Sequence, residues 1–170
     1  MLKKTMEKAL NQQINAELYS AYLYLSMSAH FQASNLKGFA NWMRVQAMEE
    51  FTHADKFSTY VLDRGGRVVL TAIAGPPVTW KSPLAVFEET ARHEQKVTAL
   101  IDALVDLAIK EKDHATNNLL QWFVSEQVEE EANAQALAQQ LKLIGEDGQG
   151  LLMLDRELAQ RVFIPPTSQA

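Results

Sequence analysis

The chain contains no cysteine among its 170 residues. This absence excludes disulfides, thiolate metal ligands and iron–sulfur clusters, and it suits a reducing cytoplasm, where we expect the protein to be located. No run approaches the roughly 18 apolar residues of a membrane span. No opening stretch joins a basic region to an apolar one, as a secretion signal would. We therefore expect neither membrane insertion nor secretion.

Glycine and proline are also scarce, with 7 and 5 residues, and most of them occur in two places. Long segments can therefore run without a helix breaker. A hydrophobic content of 47% is ordinary for a globular protein, and we expect residues 1–170 to form one domain. The formal net charge of −5 argues against nucleic acid as a partner and is compatible with binding of cations.

Four long segments show apolar or site-type residues at alternating steps of three and four, the pattern of helices that pack in a bundle. They cover about 5–33, 35–64, 83–110 and 114–144. The residues at their ends agree with these bounds. The N-cap signals are Ser34-Asn35, Ser82-Pro83 and Asp113, and the stop signals are Gly65-Gly66 and Gly145.

A shorter fifth helix is predicted over about 150–163, before Pro165-Pro166 ends regular structure. It carries one apolar stripe, formed by Leu151, Leu154, Leu158 and Val162. This stripe follows a complete bundle and needs a further surface to cover it. Neighbouring subunits and the chain's own bundle are the two alternatives.

The connections predict the topology. Very short links join the first helix to the second and the third to the fourth, so each pair forms an antiparallel hairpin. The segment 67–82 between the hairpins reaches roughly 50 Å when extended, at about 3.3 Å per residue. It can therefore cross the length of the bundle and make the second and third helices parallel. The expected fold class is all-α, a four-helix bundle with one long crossover and a short fifth C-terminal helix.

Two stretches repeat one spacing of metal-type residues. Glu17 is followed 33 positions later by Glu50, with His53 three residues beyond it. Glu94 is followed 33 positions later by Gln127, with Glu130 three residues beyond it. Residues three apart share a face of a helix. The first stretch is half of the di-iron carboxylate signature, and the second is a modified copy of the other half.

All six residues fall where the periodicity calls for apolar core side chains. Ionised carboxylates in a core cost several kcal/mol unless they are paired. No Lys or Arg stands near them on the core-facing positions, so a pair of bound multivalent cations is the expected partner. Oxygen-rich ligands with one imidazole suit iron or manganese. Taken alone, a histidine at such a position could be a core residue with its hydrogen bonds satisfied, and a glutamate could reflect a misjudged helix boundary. The doubled spacing of all six residues favours the metal site.

A second set of carboxylates precedes the first by one position. Glu49, Glu126 and Glu129 are expected beside the centre, as a third cation site or an ion path, or else as part of a solvated charge run. Tyr24 is placed to hydrogen-bond a ligand or supply an electron, or to serve as a plain core aromatic. For Trp122, core packing is the favoured interpretation.

The other histidines lie off the pattern of the site. His30, His93 and His114 are therefore expected at the surface or at the boundary of the core, with His93 turned away from the site.

Over essentially its whole length the chain resembles a bacterial non-haem ferritin. The stretches that carry the resemblance are 15–24, 49–54, 93–95 and 122–131. The resemblance implies a ferritin-like bundle that assembles into a hollow shell of 24 identical subunits. It also implies oxidation of Fe²⁺ and storage of a ferric mineral inside the shell.

The resemblance also implies roles for single residues. Glu17 and His53 look like terminal ligands of one iron, and Glu50 looks like the bridge. Glu94 and Glu130 resemble ligands of the second iron, with Gln127 beside it. The third iron site of some bacterial members is matched by Glu49, Glu126, Glu129 and Glu130. Tyr24 matches the tyrosine next to the centre, and Trp122 matches an aromatic that is sometimes given an electron-transfer role.

Departures separate the chain from relatives of this family. Bacterioferritin has Glu and His in both halves, and its haem-ligating methionine follows the bridging glutamate, where this chain has Phe51. We therefore expect no haem. Rubrerythrin-like peroxidases carry a cysteine-ligated iron domain, which this chain lacks. The small 12-subunit stress ferritins use a different ligand set and have no fifth helix after the bundle.

The function expected from these features is iron storage with ferroxidase activity, in which Fe²⁺ is oxidised by O₂ or H₂O₂. Gln127 removes one negative charge relative to the symmetric site, which favours release of ferric iron over a fixed di-iron cofactor. A di-iron peroxidase or oxygenase of the same fold, with a retained cofactor, is the alternative. A metal-free helical bundle for protein interaction is a third possibility.

Overall fold

The computed structural model describes residues 2–165, and that part of the chain consists of helices and connecting segments without a strand. The helices, in chain order, are α1 Lys4–Ala33, α2 Lys37–Asp63, α3 Pro83–Glu111, α4 His114–Ile144 and α5 Gly148–Leu158. Pro166, the second residue of the predicted terminal proline pair, lies outside the described residues. No helix among those described is long and apolar enough to cross a membrane.

The predicted fold class is confirmed: α1 to α4 form a four-helix bundle with one long crossover. The crossover lies along α1 in the direction of that helix, and hydrogen bonds fasten it there. They join Asn11 to Arg67, Asn15 to Thr71 and Ser26 to Pro77, and near the end of α1 the rings of His30 and Trp80 lie 5.2 Å apart. Because the crossover carries the chain back to the other end of the bundle, α2 and α3 run parallel.

Two apolar clusters fill the bundle, one near each end. The first includes Tyr24, Phe31, Phe39, Phe87 and Leu141. The second includes Leu10, Ile14, Phe57, Ile101 and Phe123. In each of the four long helices, the interval between the two clusters contains the acidic, amide or histidine residues of the doubled motif. The apolar packing therefore fixes a polar level at mid-bundle.

Two of the predicted N-caps are confirmed. The Ser82 hydroxyl accepts a hydrogen bond from the Ala85 N–H at 3.1 Å, and the Asp113 carboxylate accepts one from the Thr116 N–H at 3.2 Å. The prediction for Ser34-Asn35 is wrong, because α2 starts after Leu36 and has no local side-chain cap.

The cap of α2 comes instead from α5. Asp155 Oδ1 accepts hydrogen bonds from the N–H groups of Gly38 at 2.8 Å and Phe39 at 3.0 Å. A Cβ added at Gly38 would lie 1.6 Å from the Asp155 carbonyl oxygen. Glycine at this position therefore allows α5 to pack directly against the start of α2.

The fifth helix is confirmed, with different bounds from those expected. It ends at Leu158 rather than at residue 163, because the Asn41 side chain donates to the carbonyls of Leu158 at 3.2 Å and Arg161 at 2.9 Å. These bonds cap α5 and hold the following segment along α2. Leu154 and Leu158 are buried in the first apolar cluster, so this part of the stripe docks on the chain's own bundle, while Val162 is exposed.

Candidate metal centre

The six residues of the doubled motif meet at the polar level between the two apolar clusters. Each is 5% exposed or less: Glu17, Glu50, His53, Glu94, Gln127 and Glu130. The equal spacing of 33 residues has a simple geometric reason. Both hairpins are built from helices of similar length, so residues 33 apart in each hairpin face each other at the same height.

The first half of the site is formed by α1 and α2. Ligand atoms of Glu17, Glu50 and His53 all lie within 4.8 Å of one another, a spacing that could hold one metal ion. His53 Nδ1 is 3.4 Å from Glu50 Oε2. Gln13 Nε2 donates to Glu17 Oε1 at 2.7 Å, whereas Glu17 Oε2 is buried without a hydrogen-bond partner among the described residues. A buried carboxylate oxygen in this position is free to accept a cation.

The second half is formed by α3 and α4. Glu94 accepts hydrogen bonds from the Tyr24 hydroxyl and from Gln127 Nε2, the latter at 3.3 Å. Ligand atoms of Glu130 group with His53 and Glu126 within 4.8 Å of one another. Glu130 is therefore grouped with His53, which belongs to the first half of the site. Glu94 belongs to neither of these two groups of three residues.

Burial and mutual repulsion disfavour ionisation of the four core carboxyls. Burial raises the pKa of Glu17, Glu50, Glu94 and Glu130 above their ordinary range. The negative charge of Glu94 adds to the shift at Glu50, and those of Glu50 and Glu94 add to it at Glu130. Within residues 2–165, His53 is the one basic side chain with a nitrogen within 4.0 Å of a carboxylate oxygen of the four, and that oxygen belongs to Glu50. Protons or external cations must therefore neutralise the group.

The flanking carboxylates differ from one another in their surroundings. Glu49 is half-buried, and its Oε2 accepts from Arg161 Nη2 at 2.5 Å. Burial raises the pKa of Glu49, Arg161 opposes the shift, and the charges of Glu126 and Glu129 add to it. Glu126 Oε1 lies 4.0 Å from His53 Nε2, and Glu129 is exposed. Glu126 and Glu129 are thus close enough to Glu49 for their charges to act on it beside the centre.

Aromatic rings surround the ligands. The Trp122 ring lies 5.5 Å from that of His53, edge to face, and Lys56 Nζ sits 3.5 Å above the Trp122 ring. Trp122 therefore packs directly on a candidate ligand. It also belongs to the partly buried side chains against the second apolar cluster.

The expectation for His93 is wrong in one respect. His93 is half-buried, but its ring packs edge-on against Tyr24 at 5.9 Å instead of turning away from the site. Its Nε2 lies 2.8 Å from the Ser20 hydroxyl, and burial lowers its pKa to about 4. The heptad pattern placed His93 off the site because it describes one helix and not the α1 side chains opposite. His30 is half-buried and His114 exposed, as expected.

Two buried glutamines were missed as parts of the site. Gln13 precedes Glu17 by four residues and Gln46 precedes Glu50 by four, so each lies one turn before a candidate ligand on the same face. Gln46 Nε2 donates to Glu130 Oε2 at 2.6 Å and to Glu50 Oε1 at 3.3 Å. The repeated four-residue offset was a visible signal.

Comparison with known proteins identifies the family of this chain. The ferritin-like domain of the ferritin family matches residues 7–144. The chain belongs to the ferritin family. It is 44% identical over 161 residues to a bacterial non-haem ferritin of Bacteroides fragilis, which covers 95% of this chain and 100% of that protein. Membership supports a role in iron storage.

Further ferritins are similar over nearly the whole chain. A bacterial non-haem ferritin of Campylobacter jejuni is 44% identical over 156 residues, covering 92% of this chain and 93% of that one. The open-pore ferritin of the hyperthermophilic archaeon Archaeoglobus fulgidus is 56% identical with a TM-score of 0.94, covering 95% of this chain and 100% of that chain. An engineered closed form of the same protein is 55% identical with a TM-score of 0.96, covering 96% and 100%.

The electrostatics predict how the metal-stripped protein responds to pH. The pKa of Glu17 is raised in the folded chain above its ordinary value of 4.5. The folded state therefore loses stability as pH rises above 4.5, until the folded pKa is passed. Glu17→Gln cannot ionise, so with a chelator present its melting temperature should exceed that of the wild type at pH 8. At about 1.4 kcal/mol per pKa unit, the gain should be at least about 2–4 °C.

The gain from Glu17→Gln should shrink as pH falls toward 4.5, where Glu17 is protonated in both states. Thermal unfolding of both proteins between pH 4.5 and pH 8 measures it. A difference that does not change with pH would contradict the assignment of an unneutralised carboxylate.

Proposed function

We propose that this protein is a cytoplasmic iron-storage ferritin that oxidises Fe²⁺ at a di-iron centre inside each subunit and deposits ferric mineral within a shell of 24 subunits. The observation that carries the proposal is the group of four buried carboxylates, to which residues 2–165 offer the imidazole of His53 and no Lys or Arg within 4.0 Å. The unpartnered Glu17 Oε2 lies within it. Family membership supports iron as the cation that this group binds.

The ligand assignment follows the two halves of the site. We assign Glu17, Glu50 and His53 to the first iron, because their ligand atoms lie within 4.8 Å of one another. Glu94 and Glu130 are assigned to the second iron with Gln127 beside it, and Glu50 to the bridge between the two ions. The negative charge of Glu94 raises the pKa of Glu50, and the negative charge of Glu50 raises the pKa of Glu130, which supports a position of Glu50 between the other two carboxylates.

The chemistry requires a two-electron oxidant. Two Fe²⁺ ions give up one electron each. O₂ accepts the two electrons with two protons and leaves as H₂O₂, or H₂O₂ accepts them with two protons and leaves as two waters. The protein fixes the geometry and the charge of the site, and iron supplies the redox chemistry.

Tyr24 is the proposed catalytic side chain. Its hydroxyl donates to the Glu94 carboxylate, a proposed ligand of the second iron, and in this role Tyr24 would orient that ligand and supply an electron. Glu94 is thus the hydrogen-bond partner that a buried tyrosine hydroxyl needs. Trp122 contacts His53 on the other side, and its position also suits plain packing.

Beside the centre we propose a third iron site, formed by Glu49, Glu126 and Glu129 with Glu130. The charges of Glu126 and Glu129, which act on Glu49, support a position that attracts cations. No haem is proposed, because Phe51 stands where a haem-ligating methionine would be.

Gln127 favours turnover over a retained cofactor. Its amide donates to Glu94 at 3.3 Å and brings no negative charge to the second position. A less anionic site holds ferric iron less firmly, which supports transfer toward a mineral. A di-iron peroxidase or oxygenase of the same fold would keep its iron instead, and it would not need a shell.

Removal of Glu50 tests the proposed centre directly. Loss of an outer hydrogen-bond partner of a metal site typically costs about 10–100-fold in affinity or activity. Because Glu50 is proposed as a direct ligand, Glu50→Ala and Glu50→Gln should slow aerobic Fe²⁺ oxidation by at least about 100-fold. The initial rate of Fe³⁺ formation measures the effect. Glu146→Ala, at an exposed acid near the end of α4, is the matched control. Oxidation at the wild-type rate in both Glu50 variants would favour a metal-free bundle.

Assembly separates storage from the alternative enzyme. A shell should elute from gel filtration on the order of hundreds of kDa, since closed symmetry multiplies one chain many times. It should also retain iron at the same elution volume after aerobic loading. A monomer or dimer that keeps a non-exchanging di-ferric pair would contradict storage and favour the peroxidase or oxygenase.

A further inference from the structure

Arg161, which follows α5, contacts the face of α2 that adjoins the metal centre. Its Nη1 donates to the Trp42 carbonyl at 3.2 Å and to Gln46 Oε1 at 2.9 Å, and its Nη2 donates to Glu49 Oε2 at 2.5 Å. The guanidinium also lies 4.3 Å from the centre of the Trp42 ring. Stacking and three hydrogen bonds fix the plane of the guanidinium, as arginine's rigid fork allows.

The segment that carries Arg161 is itself held against α2. Asn41 Nδ2 donates to the Arg161 carbonyl at 2.9 Å, and Asp155 caps the start of the same helix. The side chain of Arg161 is 22% exposed, so the contacts are partly shielded from water. Arg161 is therefore held in place at both its backbone and its side chain.

The contact with Gln46 settles which end of that amide faces the ligands. A guanidinium has only donors, so it can bond only the amide oxygen of Gln46. The Gln46 nitrogen must then point the other way, where it donates to Glu130 at 2.6 Å and Glu50 at 3.3 Å. The reversed amide would turn its oxygen toward two carboxylates and its N–H groups toward a cation, which is unfavourable at both ends.

Through these contacts the positive charge of Arg161 acts on the carboxylates of Glu50 and Glu130, although no cationic side chain lies in the core. Hydrogen bonds in series polarise one another, so a charged donor behind Gln46 strengthens the donors in front of it. Arg161 thus strengthens the hydrogen bonds that Gln46 donates to two candidate ligands, without contacting those ligands itself. It also neutralises Glu49, one of the flanking carboxylates.

We propose that Arg161 is a positioning residue for the metal centre: through Gln46 it orients the carboxylates of Glu50 and Glu130 for binding of the second ion. The inference rests on the proposed function, because it requires that Glu50 and Glu130 bind cations. A purely structural role, in which Arg161 only fastens the chain end to α2, is the competing explanation. It would affect thermal stability and leave the geometry of the bound metal unchanged.

The test uses the assembled, metal-stripped protein and Co²⁺, whose absorption spectrum reports coordination geometry. Arg161→Met keeps an unbranched apolar stem against Trp42 and removes all the donors. We expect the second Co²⁺ to bind about tenfold more weakly in this variant, with a changed visible spectrum, as for loss of outer partners at other metal sites. Arg156→Met, at an exposed arginine of α5, is the matched control for the lost charge and should bind as the wild type does.

A second pair of variants tests the route through Gln46. In a Gln46→Ala background, Arg161→Met should have no further effect on binding of the second Co²⁺, because Arg161 acts on that position through Gln46. Its ion pair with Glu49 concerns the proposed third site. If Arg161→Met does not assemble, Gln46→Ala alone must show the loss of about tenfold.

Each outcome decides the proposal. Co²⁺ affinity within about twofold of the wild type in Arg161→Met, or a lower melting temperature with an unchanged spectrum, would overturn it. The proposal would also be overturned if Gln46→Ala bound Co²⁺ as tightly as the wild type. It would be overturned as well if adding Arg161→Met to Gln46→Ala weakened binding of the second Co²⁺ further. Failure of the wild type itself to bind Co²⁺ would overturn the proposed function and, with it, the role of Arg161.

Discussion

The carboxylates of Glu17, Glu50, Glu94 and Glu130 repel one another in a region that solvent hardly reaches. The described residues offer them one imidazole and no buried Lys or Arg at close range. Burial of such a group costs several kcal/mol unless something neutralises it. The raised pKa values favour the protonated forms in the metal-free chain, and under the proposed function iron ions would take the place of the protons. Apolar clusters on either side hold the four groups at one level, so the packing of the bundle opposes their separation.

Much of the fold followed from the sequence because helix packing is periodic and local. The steps of three and four predicted four helices, and Ser82 and Asp113 cap two of them as expected. The spacing of 33 residues placed Glu17 beside Glu50 and Glu94 beside Gln127, since an antiparallel hairpin pairs residues at fixed separation. The ligand roles of these residues stay predictions, and their burial at mid-bundle is what the structure adds.

What the sequence could not predict are contacts between segments far apart in the chain. Asp155 caps α2 from a helix more than a hundred residues later, so no local pattern at Ser34-Asn35 could indicate it. Arg161 reaches Gln46 and Glu49 because Asn41 ends α5 early, and this depends on docking rather than periodicity. The second layer around the ligands is therefore assembled across elements. Gln46 belongs to this layer and donates to Glu130 and Glu50.

Under the proposed function, the four carboxylates bind a pair of iron ions. Crystals soaked with Fe²⁺ without oxygen, measured at the iron absorption edge, would show whether they do. We expect two anomalous peaks at about 2–2.5 Å from ligand atoms, one among Glu17, Glu50 and His53 and one beside Glu94 and Glu130. The absence of any peak at coordination distance from these carboxylates, in crystals that take up iron elsewhere, would show that they do not form the iron site.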